Sequence, residues 1–486
     1  MQAAADELVA RPWGLVWGGA VHQPKRRGTF DSIDPSTEGV LTAVPDGDAS
    51  DVALAVEAAE VASGPWGRLT MSARATAVRR LADAVEQHAE ELALLDAVDG
   101  GLPLALARRD IATACATLRW FAGIGPRLHG ETVPVSEHLH FTERCPFGVV
   151  VRIVAFNHPA MFAIGKSAAP LVAGNAVVIK PSDAAPLSAL RFREIAAEVL
   201  PPGIVSVLVG QGPEVPQALV EHPAVRRIGF IGSDVVGRSI QERAARAGVK
   251  TVSLELGGKN GLLAYPDVDP AVVAKAAVEG MNFMWSGQSC GSTSRLVVHR
   301  SIADEVVDRV ARSMADLRVG PALDPGIDQG PLISRGHWDR VDAHVQRASA
   351  EGADILVGGG RPASLSRGCF YAPTLVDGVT PDSPIAQLEV FGPVLTVLRW
   401  DEEDEAMAIM NGVDFGLTAS VFSSNVTTAV RSARAVDAGF VWVNGVSRHF
   451  PGLPYGGVKA SGVGRDESID ELESFTEVRS TTIFLE

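Results

Sequence analysis

The chain has 486 residues, 46% of them hydrophobic and 21% charged, the balance of an ordinary globular protein with room for two or three domains. Its 43 Lys and Arg stand against 58 Asp and Glu, a formal charge of −15 and a pI near 5.3. That balance argues against nucleic acid or an anionic membrane as the main partner.

The four cysteines, Cys115, Cys145, Cys290 and Cys369, form no CxxC pair and no disulfide framework, so a reducing cytoplasm is the expected location. The 11 histidines show no HExxH or comparable spacing, and no metal site is expected. His138 and His140 alternate as on a strand and read as surface positions. The N-terminus carries acids early and lacks a signal-peptide core. The longest apolar stretch, Ala168 to Ile179, is too short to span a bilayer and contains Asn175.

In chain order, residues 1 to about 50 read as turns and short strands. Helices follow over Asp51–Ala62, then through Ala75, Val78, Leu81 and Val85 with Ser72 as its cap, then through Ile111, Cys115, Leu118 and Phe121. Cys115 lies on that last apolar stripe and is expected in the core. Thr132 to Thr142 alternates like an arm or edge strand that could pair with a second chain.

From Gly148 strands alternate with helices: Val149–Ala155, Ala160–Val172, Ala176–Ile179, Pro186–Leu200, Ile204–Val209, Glu214–Glu221, Arg227–Ile231, Asp234–Ala247 and Thr251–Leu256. Such a succession predicts a parallel, doubly wound sheet that binds ligands at the carboxyl ends of its strands. Gly210-Gln-Gly212 begins like a dinucleotide fingerprint, but Val215 stands where the third glycine belongs. Gly232-Ser-Asp-Val-Val-Gly237 ends a strand and opens a helix, where free N–H groups and the Ser233 hydroxyl suit a phosphate. Lys180-Pro-Ser182-Asp183 follows another strand. A carboxylate there suits a ribose and repels a 2′-phosphate, which favours NAD over NADP.

Asp269 as cap and Pro270 as first residue open a helix that Ser286-Gly287 breaks, placing Cys290 on the connection beyond it. Its neighbours Gly287, Ser289, Gly291 and Ser292 are small. They leave room for a substrate, and nearby backbone N–H groups could face an oxyanion. A second α/β region follows, with a strand at Leu296–His299, helices at Ile302–Leu317 and His337–Glu351, a strand at Val394–Leu398, a helix at Thr427–Ala438 and a strand at Phe440–Asn444. Arg479–Leu485 reads as a final strand.

Seven motifs in this order resemble the non-phosphorylating aldehyde dehydrogenases: Phe156-Asn157-His158-Pro159, Ala173-Gly-Asn175 with Lys180-Pro-Ser182, Gly232-Ser233 to Gly237, Leu254-Glu255-Leu256-Gly-Gly-Lys259, Gly287-Gln-Ser-Cys290, Glu389-Val-Phe391-Gly-Pro393, and Pro454-Tyr-Gly-Gly-Val-Lys459-Ala-Ser-Gly462. The resemblance covers nearly the whole chain. It implies a Rossmann-like cofactor domain over 1–127 and 147–257, a second α/β catalytic domain over 258–465, and a small β oligomerisation arm from 128–146 and 466–486. A homodimer or homotetramer is expected.

By the same resemblance, the Cys290 thiolate attacks the aldehyde carbon. Asn157 and the Cys290 N–H hold the oxyanion. Glu255 activates the water that hydrolyses the thioester. Lys166 stands behind Glu255 and Asn157. NAD would lie against Val154, Ala155, Phe156 and Leu256, with its adenosine ribose on Lys180, Ser182 and Asp183. Gly212 and Val236 would flank the adenine, Gly232, Ser233 and Gly237 the pyrophosphate, and Glu389 and Phe391 the nicotinamide ribose and ring.

The chain departs from the family in places. His158 replaces an aromatic residue of the substrate tunnel, Gly165 stands where tryptophan is common, and Phe162 lines the same tunnel. A polar or bulky aldehyde, aromatic ones included, is the expected substrate. His158 is equally readable as a packed histidine facing a backbone partner. Leu388 replaces a second glutamate and Asn260-Gly261 the usual residues after Gly-Gly-Lys, with neither expected to touch nucleophile or base. A coenzyme-A-acylating dehydrogenase and a catalytically silent binding relative are the alternative functions.

Overall fold

The computed structural model describes residues 1–24 and 28–486. Two large sheets carry the chain. The first has eight strands in the order Ala20–His22, Leu15–Trp17, Val205–Val207, Ala176–Lys180, Val149–Ile153, Val225–Ile231, Thr251–Glu255, Gly462–Val463. Its five central strands are parallel and its outer pairings antiparallel. Val149–Ile153 and Ala176–Lys180 are buried at every position, which is why they read as continuous apolar runs. From Val149–Ile153 the chain first builds the sheet to one side and then returns to add strands on the other. The carboxyl ends on either side of that reversal therefore face an open crevice.

The second sheet has seven strands in the order Asp354–Val357, Thr374–Asp377, Val394–Trp400, Arg295–His299, Gly261–Ala264, Thr418–Phe422, Phe440–Val443. All its pairings are parallel except the first. A separate antiparallel ribbon joins Leu139–Pro146 to Thr476–Ile483, so the expected arm strand and final strand are each other's partners. The arm strand starts later than the alternation from Thr132 suggested; Thr132 makes only an isolated bridge to Phe141.

The early helices depart from expectation in three places. A short helix covers Gln2–Val9 where only turns and strands were expected. Thr70, not Ser72, caps the helix Met71–Gln87, its hydroxyl accepting from the Ala73 N–H at 3.2 Å. An extra helix, Ala89–Gly100, is buried at every position from Leu92 onward and so shows no amphipathic stripe to read. That helix positions the site. Its Asp96 accepts from the Ala160 N–H at 3.2 Å and its Asp99 from the Leu187 N–H at 2.8 Å, satisfying first-turn donors of Pro159–Ala173 and Leu187–Val199. Cys115 is buried, as its stripe implied.

Among the described residues, no helix is long and apolar enough to cross a membrane.

Candidate active site

Cys290 sits on an over-determined loop. Asp269 caps the preceding helix through the Ala271 N–H at 2.8 Å, and Pro270 is its first residue. The helix ends at Gly280, and a single 3₁₀ turn, Phe283–Trp285, lies between left-handed Asn282 and Ser286 (φ 57° and 55°). Gly287 follows at φ +67°, with Gly392 O only 2.2 Å from where a Cβ would stand, so no side chain fits. Ser286 Oγ donates to Gly330 O at 2.8 Å, and Gln288 Oε1 accepts from the Ile333 N–H at 2.9 Å. Asn260 Nδ2 donates to Cys290 O at 2.7 Å and to Ser292 O at 2.9 Å. This corrects the expectation for Asn260: it does touch the candidate nucleophile Cys290, through its backbone. Leu388, by contrast, is exposed.

The Cys290 thiol is half-buried, with Tyr455 Oη at 4.0 Å. Desolvation, and then the carboxylates of Glu255 and Glu389, push it up to about 12. The resting group is therefore a thiol.

Glu255 ends the strand Thr251–Glu255 and is backed by a buried charge cluster. Lys166 Nζ lies 3.5 Å from Glu255 Oε1 and 2.7 Å from Asp466 Oδ2, and Arg152 reaches Asp466 at 3.1 Å and Glu471 at 3.7 Å. Burial and the Asp466 carboxylate raise Glu255 well above the usual carboxylate range, against the pull of Lys166 and Arg152. Asp466 goes the other way: burial opposes its ionisation, but Lys166 and Arg152 outweigh it and hold it low. Of the two carboxyls, Glu255 is therefore the one that keeps its proton to higher pH. Neither Arg152, Asp466 nor Glu471 had been singled out from the sequence. The acids come from a segment some 300 residues from Lys166 along the chain, and only a basic residue inside a buried strand hinted at a partner.

One cavity of about 810 Å³ lies along the carboxyl ends of the first sheet and opens onto Cys290, Asn157 and Glu255. Val154, Ala155, Phe156, Lys180, Ser182, Asp183, Gly212, Gly232, Ser233, Val236, Leu256, Glu389 and Phe391 line it. Gly237 does not: it packs against Leu256, where a Cβ would come within 2.7 Å of Leu256 Cδ2. Lys180 pairs with Asp183, whose other oxygen accepts from the Gly212 N–H at 3.0 Å. Ser233 stands at the N-terminus of Asp234–Ala247 with its hydroxyl unspent on its own helix.

Glu389 accepts from the Gly258 N–H at 3.0 Å, and burial pushes its carboxyl up to about 7. Phe391 is left-handed (φ 51°) and is held by His337, which burial keeps neutral and whose Nε2 donates to Phe391 O at 2.7 Å. His337, Arg340 and His344 were not foreseen. They reach the cavity from the helix Arg335–Ala350, and their spacing is that of any helix face. Asn157 Oδ1 is buried and has no hydrogen-bond partner among the described residues, so the amide is uncommitted inside the site.

Lys166, His158, Phe162 and Gly165 lie outside this cavity. His158 stacks obliquely on Phe162 and on Trp285, at centroid distances of 5.0 and 5.2 Å. Its Nδ1 meets the buried Asp110 carboxylate at 2.7 Å, so its partner is a side chain and not the backbone. Gly165 faces Thr117, 3.7 Å from where a Cβ would stand. Among the described residues, no three His, Cys, Asp or Glu side chains cluster as a metal site would require.

Residues 22–481 match the model of the aldehyde dehydrogenase family, and the chain belongs to that family. The chain is 44% identical over 99% of its length to "Aldehyde dehydrogenase tropH" of Talaromyces stipitatus, covering 95% of that protein. It is 37% identical over 97% of its length to phenylacetaldehyde dehydrogenase of Pseudomonas fluorescens, covering 96% of it. Its fold superposes on an NAD⁺ complex of aldehyde dehydrogenase from Bacillus cereus with a TM-score of 0.97 at 33% identity, covering 100% of this chain and 99% of that one.

Proposed function

We propose that this chain oxidises an aldehyde to its carboxylic acid with NAD, by covalent chemistry on Cys290. The observation that carries the reading is the single cavity onto which Cys290, Asn157 and Glu255 all open. The family and the NAD⁺ complex of the Bacillus cereus relative support the cofactor. The residues present fit it. Asp183, already oriented by Lys180 and the Gly212 N–H, suits a ribose diol and disfavours a 2′-phosphate. The free Ser233 hydroxyl and the helix N-terminus suit a pyrophosphate. Glu389 and Phe391 suit the second ribose and the nicotinamide, which accepts the hydride.

The Cys290 thiol gives up its proton to solvent in the cavity, and the thiolate adds to the aldehyde carbon. The carbonyl oxygen becomes an oxyanion held by the Asn157 amide and the Cys290 N–H. Loss of hydride re-forms the carbonyl as a thioester. Glu255, once ionised, removes a proton from water as it attacks, and the tetrahedral adduct expels the sulfur, which takes that proton back. Aldehyde, NAD⁺ and water become carboxylate, NADH and two protons. Lys166 and Asp466 set the protonation of the base and do not touch the substrate.

In the same reading, residues 1–127 with 147–257 form the cofactor domain, 258–465 the catalytic domain, and 128–146 with 466–486 the arm. The arm exposes Leu139, Val478, Ile483, Phe484 and Leu485, which supports a homodimer or homotetramer, and the free cysteines suit the cytoplasm. An aromatic aldehyde is favoured by Tyr455 beside the nucleophile and by the substrate named for the Pseudomonas fluorescens relative.

The test is rapid mixing of the Glu255→Gln variant with NAD and aldehyde. A burst near one NADH per site, followed by steady-state turnover slowed about 10²–10⁴-fold, is expected. Wild-type turnover by this variant would remove Glu255 from the role. Acyl-CoA without free acid, in the presence of coenzyme A, would make the chain an acylating dehydrogenase. NAD binding with no NADH from any aldehyde would make it a silent relative.

A further inference from the structure

One buried hydroxyl beside Cys290 has no partner but sulfur. Tyr455 is 4% exposed, and among the described residues its Oη makes a single hydrogen-bond contact, with Cys290 Sγ at 4.0 Å. A tyrosine hydroxyl so buried ordinarily finds an oxygen or nitrogen. Its place is fixed from both ends. The Tyr455 N–H donates to Asp466 O at 3.0 Å, and the Asp466 N–H returns a bond to Tyr455 O at 2.7 Å. The ring packs against Phe440 at 5.6 Å and His449 at 4.5 Å between centroids, with Leu417 and Trp442 in the same cluster. His449 is itself tied down, its Nδ1 lying 3.1 Å from both carboxylate oxygens of Glu467.

What this contact does depends on the charge of the sulfur. Toward the resting thiol it is long and weak, and either atom can be the donor. A thiolate has no proton, so only Tyr455 can donate to it. A hydrogen bond to an anion is shorter and about twice as strong as one between neutral groups. The hydroxyl therefore favours the anionic sulfur over the thiol, and an interaction that strengthens as charge develops lowers a barrier. The other charged groups around the sulfur pull both ways. Glu255 and Glu389 oppose a negative sulfur, while Lys166, already engaged by Asp466 and Glu255, favours it. Glu255 and Glu467 also face Tyr455. With burial and the sulfur itself they hold the phenol well above its ordinary range, so it keeps its proton.

We propose that Tyr455 is a further catalytic residue, whose hydroxyl donates a hydrogen bond to the Cys290 sulfur whenever that sulfur is anionic. Such a sulfur arises twice. The first time, the thiol has lost its proton to solvent and adds to the aldehyde carbon. The second time, the tetrahedral adduct of water and thioester expels it, and it then takes a proton back. The phenol gives up no proton in either step. It stabilises the negative charge until carbon or a proton takes the electron pair. This rests on the covalent role of Cys290 argued above.

The experiment compares the wild-type chain with Tyr455→Phe, which keeps the ring and removes the donor. Iodoacetamide alkylation of Cys290, followed by peptide mass spectrometry from about pH 7 to pH 9, reads the thiolate without cofactor or substrate. Loss of one charge-assisted bond is expected to raise the thiol by about one unit. That removes about tenfold of the thiolate and returns about threefold in nucleophilicity, so alkylation should slow about threefold at every pH. Cys145, on the arm strand, is the internal reference and should not change. The NADH burst with NAD and phenylacetaldehyde should slow about threefold to tenfold, with NAD affinity and the urea midpoint unaltered. Equal alkylation and equal bursts in the two proteins, or faster alkylation of the variant, would overturn the proposal. So would a slower burst with alkylation unchanged, since the defect would then lie away from the sulfur. Undiminished NADH formation by wild-type chain fully alkylated at Cys290 would instead overturn the covalent reading beneath it.

Discussion

Glu255 and Glu389 are buried carboxylates on one cavity, yet their settings differ in kind. Glu255 ends a strand of the eight-stranded sheet, and its charge is governed by other charges: Lys166, Asp466, Arg152 and Glu471 stand behind it. Glu389 lies on the loop ahead of Val394–Trp400, where its nearest polar contact is a backbone N–H from Gly258. The Gly257 backbone is so close that a Cβ there would lie 2.0 Å from Glu389 Oε2. The same contrast runs through both walls. The base side is a balance of ionic groups that a single charge change can tilt. The nucleophile side is a framework of neutral hydrogen bonds and glycine contacts that fixes position. The first arrangement suits a group that must gain and lose a proton in each turnover. The second suits a sulfur that must meet the carbonyl carbon at one distance.

The largest effect tests the nucleophile side. Cys290→Ala is expected to lower kcat by about 10⁴-fold or more, since nothing else near the cavity can form the thioester. NAD affinity, read by fluorescence titration, should change little, because the cofactor contacts lie elsewhere on the wall. Residual NADH formation within tenfold of wild type would show that the sulfur is not the acceptor of the aldehyde.

The base side is tested by its sign. A general base works only when ionised, and Glu255 is held above the usual carboxylate range, so the hydrolytic rate should rise with pH through that raised value. Lys166 is one of the groups pulling it down. Lys166→Met should move this limb to higher pH by about one unit or more. Asp466 pushes it up, so Asp466→Asn should move the limb to lower pH. Asp466→Asn also leaves Lys166 and Arg152 without their nearest anion, and a stability loss of about 3–5 kcal/mol in urea is expected. Shifts of the same sign in the two variants would mean that the cluster does not control Glu255 by charge.

How far these walls were legible differs for the same reason. The cofactor side is written in local signals: a glycine turn at a strand end, a lysine and an acid after another, and a helix starting at Ser233. All of them fall on the cavity except Gly237, whose smallness serves helix packing against Leu256. The fold was legible wherever apolar runs alternate with capped helices. It was not legible at Ala89–Gly100, which is buried all round from Leu92 onward and carries no periodic stripe. The charge cluster depends on contacts across about 300 residues, and no spacing rule connects Lys166 to Asp466. His158 could be seen, but its Asp110 partner could not. They are 48 residues apart, His158 at the start of one helix and Asp110 within another, and an acid inside a helix reads as a solvated face.

Asn260 is the instructive failure, and it yields the smallest effect. In sequence it is one polar residue beside a glycine, with nothing to distinguish it from a turn. In the fold it binds three backbone groups: its amide donates to Cys290 O and Ser292 O, and its Oδ1 accepts from the Thr418 N–H at 3.0 Å. It ties the nucleophile loop to the strand Thr418–Phe422 using neutral bonds only. Asn260→Ala leaves those buried groups unmatched, and a stability loss of about 2–4 kcal/mol is expected. Because the loop is also held by Ser286 and Gln288, the sulfur should shift only slightly, and kcat should fall by about tenfold. The pH limb should stay where it is, since no charge has changed. A limb displaced as far as in Lys166→Met would mean that the neutral side also sets the proton balance, and the division between the two walls would fail.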